Sequence, residues 1–373
     1  DNSHDDGMEI PEIPGIDARQ MLDDMWLPAR EFLGCDYGII GGAMSWVSDH
    51  NLVAAISEAG AFGVYAASAM SSEELREGVR ATRALTDQPF GVNVITFHPQ
   101  FDDMIEICID TRVSHVVLGG GLPSTNTIDL LKQAGIGVMC FAATLAMAKR
   151  ALRHGADALI VEGMEAGGHV GPVSTTVLAQ EILPQIHDVP VFVAGGIARG
   201  EAIAGYMVMG AAGCQIGTRL ACAVESPAHP NFKSAFFRAK AREAVVTKQL
   251  DSMFRVVPVR AIANRAMENF ATLQKELLGL VTQGKMNATE AQGSIEEYWS
   301  GRLRRAVVDG DIEDGSLMAG QGVSMVSSEQ SVAEIVSELV EQAVAAIDRL
   351  PRSREKSQAI TSREIRRQLG VQG

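Results

Sequence analysis

The sequence predicts a closed (β/α)8 TIM barrel with a helical cap inserted after its eighth strand. Three observations carry this expectation. Short apolar runs bounded by glycine recur at roughly 20–30-residue spacing; a segment of helical periodicity follows each; and eight such runs occur before the rhythm stops. Continuous apolar strands alternating with helices are the sequence form of a parallel sheet buried on both faces. A doubly wound open sheet is the alternative.

In chain order the strands are expected at Gly38–Met44, Gly63–Ala66, Phe90–Val94, Val113–Leu118, Gly137–Phe141, Ala158–Glu162, Val191–Ala194 and Gly213–Ile216. Helical patterns fall between them at Leu52–Ala59, Ser72–Leu85, Leu145–Leu152 and Thr175–Ile182. After the eighth strand no further β–α unit is recognisable, and the chain from about Glu225 to Arg305 is mostly helical in pattern. The expected organisation is a barrel over 1–224, a helical cap over 225–310, a return through Gly315–Gly322 to a last barrel helix at Ser331–Ile347 within 311–350, and a basic, polar tail over 351–373.

Composition excludes several function classes. The 373 residues hold 46 acidic and 32 basic side chains, a net charge of −14, which argues against nucleic acid because phosphates require a basic face. No apolar run reaches the ~18–20 residues of a membrane span. The N-terminus is acidic where a signal peptide is basic and then apolar, so the chain is expected to be cytoplasmic. The cysteines Cys35, Cys108, Cys140, Cys214 and Cys222 are odd in number and never spaced as C-x-x-C, so neither a disulfide framework nor a metal site is expected.

In such a barrel the chemistry belongs to the loops leaving the C-terminal ends of the strands. That rule puts His115, His154 and His187 on the opposite, stabilising face, leaves His4 in the polar N-terminus, and retains His50, His98, His169 and His229. His169 stands out. It follows the sixth strand in Glu162-Gly-Met-Glu-Ala-Gly167-Gly168-His169-Val-Gly, where glycines let the backbone close on a flat ligand. A histidine there donates a proton or a hydrogen bond near neutral pH; the alternative is a residue that only caps its loop. The seventh strand ends in Ala194-Gly195-Gly196-Ile197 and the eighth in Gln215-Ile-Gly217-Thr218. Glycine turns at those two ends form the phosphate site of these barrels, the alternative being close packing of helix on strand. The first strand runs into Gly41-Gly42-Ala43-Met44 and the third into Asn93. With Glu162 these offer a flat ring both apolar contact and edge hydrogen bonds, although Met44 alone reads equally as a core methionine.

With these positions assembled, the chain from about Gly38 to Ile347 resembles the FMN-dependent family that joins enoyl-ACP reductase II to the nitronate monooxygenases (2-nitropropane dioxygenases). The motifs that carry the likeness are Glu162–Gly171, Ala194–Ile197, Gly217–Arg219, Glu225–Lys233 and Gly315–Gln321. The resemblance implies that Gly195, Gly196, Gly217 and Thr218 hold the FMN phosphate. It implies that Gly42, Ala43, Met44, Asn93, Glu162, Gly167 and Gly168 line the flavin and that Met318, Gly320 and Gln321 close over it. His169 matches the active-site histidine. NAD(P)H is then the co-substrate, a trans-2-enoyl thioester on an acyl carrier protein or CoA the acceptor, and a homodimer the expected assembly.

Met44-Ser-Trp46, the His229–Phe232 block, Val259–Ile262 and Met318–Gln321 look like the reductase branch. Phe141 and Leu317 stand where many nitronate monooxygenases carry lysine and tryptophan. Departures from the family pattern are Gly38 and Gly41 in place of Pro and Gln, and Leu122 in place of Asn. Oxidation of alkyl nitronates with O2 is the alternative activity, and a non-catalytic flavin-binding component of a synthase a third reading. An IMP-dehydrogenase-like barrel is disfavoured, because the loop after strand six offers His169 and no nucleophilic cysteine. Charge adds a hint: Asn231 to Arg265 carries eight basic residues (Lys233, Arg238, Lys240, Arg242, Lys248, Arg255, Arg260, Arg265) against Glu243 and Asp251. A basic cap suits an acidic acyl carrier protein or the phosphates of a CoA tail, the alternative being an ordinary solvated helix face.

Overall fold

Eight parallel strands close on one another in the computed structural model, which describes residues 17–252 and 258–350. The strands in chain order are β1 (Ile39–Gly41), β2 (Phe62–Ala66), β3 (Phe90–Ile95), β4 (His115–Gly119), β5 (Gly137–Ala142), β6 (Ala158–Glu162), β7 (Gly168–His169), β8 (Val191–Ala194), β9 (Gly213–Ile216), β10 (Ala244–Val246) and β11 (Val259–Ile262). The barrel runs β1-β2-β3-β4-β5-β6-β8-β9 and closes where Ile40 pairs with Gln215. The (β/α)8 TIM barrel is therefore present. His4, Arg255 and the tail 351–373 lie outside the described residues.

Alternation along the strands sorts side chains into two cores. Ile40, Phe62, Val117, Met139, Ile160 and Phe192 point inward and fill the barrel. Ile39, Val92, Val116, Val138, Val161 and Cys214 point outward against the helices. The helices start where local chemistry dictates. Ser71 and Glu74 form a reciprocal capping box for the helix Ser72–Leu85, and Ser331 and Glu334 do the same for Val332–Asp348. The lower end is plugged by the short helices Ala18–Met25 and Leu27–Leu33, which the sequence pattern did not announce. Trp26 occupies the space that a side chain at position 38 would need, since a Cβ there would lie 2.4 Å from its ring. This packing requires glycine at 38. His115 is buried at that lower end, its Nε2 2.8 Å from the Phe32 carbonyl oxygen.

The segment after β9, expected to be mostly helical, also holds two short strands. It contains helices Pro230–Arg238, Arg265–Thr282 and Ala288–Val307, but also β10 and β11, which join β7 in an antiparallel sheet of order β10-β11-β7. The two long helices share a small core of their own around Phe270, Leu277, Ile295 and Trp299. Among the described residues no helix is long and apolar enough to cross a membrane.

Candidate active site

The inward alternation of the barrel strands builds a site at their C-terminal ends. Continuing each inward set by two residues reaches Gly42 beyond β1, Asn93 on β3, Phe141 on β5, Glu162 on β6, Ala194 on β8 and Gln215 on β9. All six line one cavity of about 280 Å³. Ala43, Met44, Gly167, Gly168, His169, Gly195, Gly196, Gly217, Thr218 and Met318 line it too. Thirteen of the fifteen residues singled out from sequence thus meet at one mouth. Gly320 and Gln321 do not line the cavity; Gly322 does. The Gly320 N–H donates to Thr218 Oγ1 at 2.9 Å and the Gln321 N–H to the Glu165 carbonyl oxygen at 2.9 Å. They brace the wall from behind, because a chain threaded between two loops spends its N–H groups on those loops.

The floor is polar at three points. The Asn93 amide N–H donates to the Val117 carbonyl oxygen at 3.0 Å, which turns its carbonyl oxygen toward the cavity. Glu162 has no charged neighbour to hold its anion, so burial pushes its carboxyl up to about 7. Gln215 was missed in the sequence. Its signal was a single polar residue on the inward face of an apolar strand, between outward Cys214 and Ile216. A Cβ on Gly42 would come within 3.0–3.1 Å of the Gln215 side chain, so glycine at 42 leaves that amide its place.

His169 sits on β7 and not in an open loop. It pairs with Val259 of β11, while Gly168 pairs with Arg260. Arg260 is buried, and its guanidinium donates from Nε to the Met164 carbonyl oxygen at 2.8 Å and from Nη1 to the Ala244 carbonyl oxygen. Glu165, in the same loop, accepts from the Thr175 N–H at 2.8 Å and its hydroxyl at 2.9 Å. The backbone that carries His169 is therefore tied on several sides. His169 is exposed at the mouth of the cavity, and partial desolvation there shifts its imidazole below the usual histidine range; the neutral ring offers one N–H donor. His50, His98 and His229 do not line the cavity; His98 and His229 each accept a backbone N–H through Nδ1.

The adjoining wall, after β8 and β9, holds the anion-type turns. Gly195 and Gly196 adopt φ of 109° and 71°, and Gly195 lies against the Thr175 hydroxyl. At Gly217 a Cβ would meet only the Met44 side chain, its Sδ at 3.5 Å, so the backbone there is open to the cavity. Two bare backbone turns beside flat apolar surfaces, above a floor of donors and acceptors, fit a phosphate-bearing planar ring. Among the described lining residues there is no Lys or Arg.

The basic cap shrinks on inspection. Lys233 is buried and donates to Glu329 at 2.7 Å, Arg260 is consumed inside the cap, and Arg265 pairs with Asp314 at 2.6 Å. Arg238, Lys240, Arg242 and Lys248 remain exposed. The described cysteines are buried or half-buried, with desolvation pushing the thiols of Cys108, Cys140 and Cys222 up to about 12.

Comparison with known proteins agrees with this geometry. The sequence model of nitronate monooxygenase matches residues 28–106 and 96–342. The chain is 30% identical over 342 residues to a (3aS,4S,5R,7aS)-5-hydroxy-7a-methyl-1-oxo-octahydro-1H-indene-4-carboxyl-CoA dehydrogenase of Mycobacterium tuberculosis, covering 85% of this chain and 96% of the relative. It is 27% identical over 366 residues to a nitronate monooxygenase of Paraburkholderia phytofirmans, with 85% and 95% covered. The solved structure of FabK from Thermotoga maritima superposes with a TM-score of 0.77 at 35% identity, over 86% of this chain and 97% of that one.

Proposed function

The chain belongs to the nitronate monooxygenase family of oxidoreductases, and on that premise we propose that it is an FMN-dependent, NAD(P)H-consuming reductase of α,β-unsaturated acyl thioesters. The observation that carries this choice is the charge of the cavity. Its described lining has no Lys or Arg, Phe141 stands near the end of the fifth strand, and burial raises the Glu162 carboxyl to about 7. Enclosing a nitronate anion there would remove it from water beside a carboxyl with no fixed cation, which is costly. A thioester carbonyl asks only for a hydrogen-bond donor. The resemblance to FabK and to a dehydrogenase named for a CoA thioester supports the same substrate class.

The glycine turns after β8 and β9 would hold the FMN phosphate through backbone N–H groups, and Gly42, Ala43, Met44, Asn93, Glu162 and Gln215 would hold the ring. When bound, FMN supplies the two-electron chemistry. The protein's own contribution lies with His169. Its N–H would donate to the thioester carbonyl as charge develops there, from a backbone that β7 holds in place. The α-carbon takes its proton from solvent, or from the imidazole when the ring is protonated. The four exposed cap cations suit the phosphates of a CoA tail or an acidic carrier protein.

The test is a product assay without oxygen. Crotonyl-CoA with NADH or NADPH should yield butyryl-CoA. Absence of that product, together with O2 consumption on propionate 3-nitronate in air, would replace this reading by nitronate oxidation, the activity for which the Paraburkholderia relative is named.

A further inference from the structure

Across the mouth from His169 the cavity wall carries a feature that the reduction of a simple enoyl thioester leaves unused. In the closed ring β2 stands four strands from β6, so the loop after β2 faces the loop that bears His169. Ser68 on that loop and Ser45 on the neighbouring loop after β1 both line the cavity, with their hydroxyl oxygens 2.5 Å apart. Two hydroxyls bring two protons, and their mutual bond uses one. Neither hydroxyl makes another hydrogen bond among the described residues. The pair therefore has one proton left to donate into the cavity, strengthened by the bond behind it.

Ser45 is held there at a cost. The next residue, Trp46, adopts a left-handed φ of 67°, which a bulky side chain rarely accepts. The turn persists because it is bonded from both ends. The Met44 carbonyl oxygen accepts from the N–H groups of Val47 and Ser48 at 3.0 and 2.9 Å, and the Ser48 hydroxyl donates to the Gly42 carbonyl oxygen at 3.2 Å. The Arg304 guanidinium of the cap lies over the Trp46 ring, 5.8 Å from its centroid. The same cavity is lined by the apolar side chains of Val47, Ile95, Phe141 and Leu303, with Asn93 on the neighbouring strand.

We infer that Ser45 and Ser68 form a subsite for a second, uncharged oxygen of the substrate, a carbonyl or hydroxyl on the acyl part remote from the thioester. This rests on the thioester-reductase reading above. A neutral donor pair in an apolar wall recognises a neutral oxygen, and rejects a plain hydrocarbon by leaving the pair's proton without an acceptor.

The test compares trans-2-hexenoyl-CoA with 5-oxo-trans-2-hexenoyl-CoA in the FMN-loaded wild type, in the Ser45→Ala/Ser68→Ala double variant and in Ser45→Thr. The wild type should favour the oxo compound in kcat/KM. The double variant should lower that preference roughly 3- to 10-fold, the scale of one neutral hydrogen bond, chiefly through KM, and Ser45→Thr should restore part of it. A folding defect would lower both substrates together and leave their ratio unmoved. An unchanged ratio with hexenoyl-CoA still reduced overturns the subsite alone. Loss of FMN from the double variant assigns the hydroxyls to the cofactor and also overturns it. If the wild type reduces neither compound, the thioester reading falls and the subsite with it.

Discussion

Val259 of β11 stands directly across an antiparallel ladder from His169 of β7, and its neighbour Arg260 reaches over Gly168 to hold the Met164 carbonyl oxygen at 2.8 Å. The cap thus helps to fix the backbone that carries the imidazole. Arg260→Ala would leave two buried carbonyl oxygens without their donor. It should lower stability by about 1–3 kcal/mol and slow thioester reduction while FMN stays bound. Arg260→Lys should recover little, because one ammonium cannot reproduce a fork that reaches Met164 and Ala244 together. Urea unfolding alongside single-turnover rates checks both parts.

His169→Ala should retain FMN and lose roughly 10²–10³ of the rate of enoyl reduction, with NAD(P)H oxidation far less affected. Since the imidazole is already held below the usual histidine range, the wild-type reaction with the thioester should stay level as pH falls through 6.5 and change only below it. Transient rates across pH, with each half-reaction isolated, show whether it does.

Glu162 makes the flavin-free protein sensitive to base. Its folded carboxyl titrates near 7 against 4.5 for a free glutamate. Between those values the unfolded chain releases a proton that the folded one keeps, so stability falls as pH rises from 4.5 to 7. Glu162→Gln should therefore stabilise the flavin-free protein above pH 7, by up to about 3 kcal/mol, and leave it little changed below pH 4.5. Denaturant midpoints at several pH values decide.

His115 has the opposite sign of exposure, to acid. Burial lowers it to about 4 from 6.5, so both states are neutral above 6.5 and it contributes nothing there. As pH falls from 6.5 to 4 the unfolded chain takes a proton that the folded one refuses, a loss of about 3 kcal/mol. His115→Gln, which keeps a donor for the Phe32 carbonyl oxygen, should flatten that acid limb of the stability curve.

Gly196 has a φ of 71°, and a Cβ there would approach the Glu165 Cβ to 2.9 Å. Gly196→Ala should cost about 1–3 kcal/mol and weaken FMN retention roughly 10-fold or more, read from flavin absorbance after dialysis. Gly205, a helical glycine with nothing within 4 Å of its Cβ position, is the matched control; its alanine variant should keep FMN.

Much of the barrel was readable because its signals are local. The helices Ser72–Leu85 and Thr175–Ile182 and the strand Ala158–Glu162 fall where pattern put them, since caps and glycine boundaries lie within a few residues of each end. The sheet β10-β11-β7 was not readable. Its strands are two to four residues long, and β7 lies about ninety residues before its partner β11, so no alternation within any one of them announces it. The same reason separates Met318, which faces the cavity, from Gly320 and Gln321, which brace it: the path of a return segment decides which side each residue shows. Gln215 was legible and overlooked, since period two alone aims it inward. The local charge of the cap overstates its exposed cations, because Lys233 and Arg260 spend their charge inside the protein.

The central claim is that the neutral cavity reduces enoyl thioesters through bound flavin. Anaerobic stopped-flow absorbance at the flavin maximum tests it most directly, with NADH or NADPH added first and crotonyl-CoA second. The account predicts rapid bleaching, then recovery of the oxidised spectrum on adding the thioester, with recovery but not bleaching strongly slowed in His169→Ala. Flavin that stays oxidised with both nucleotides, or that bleaches and is not reoxidised by the thioester, would contradict it.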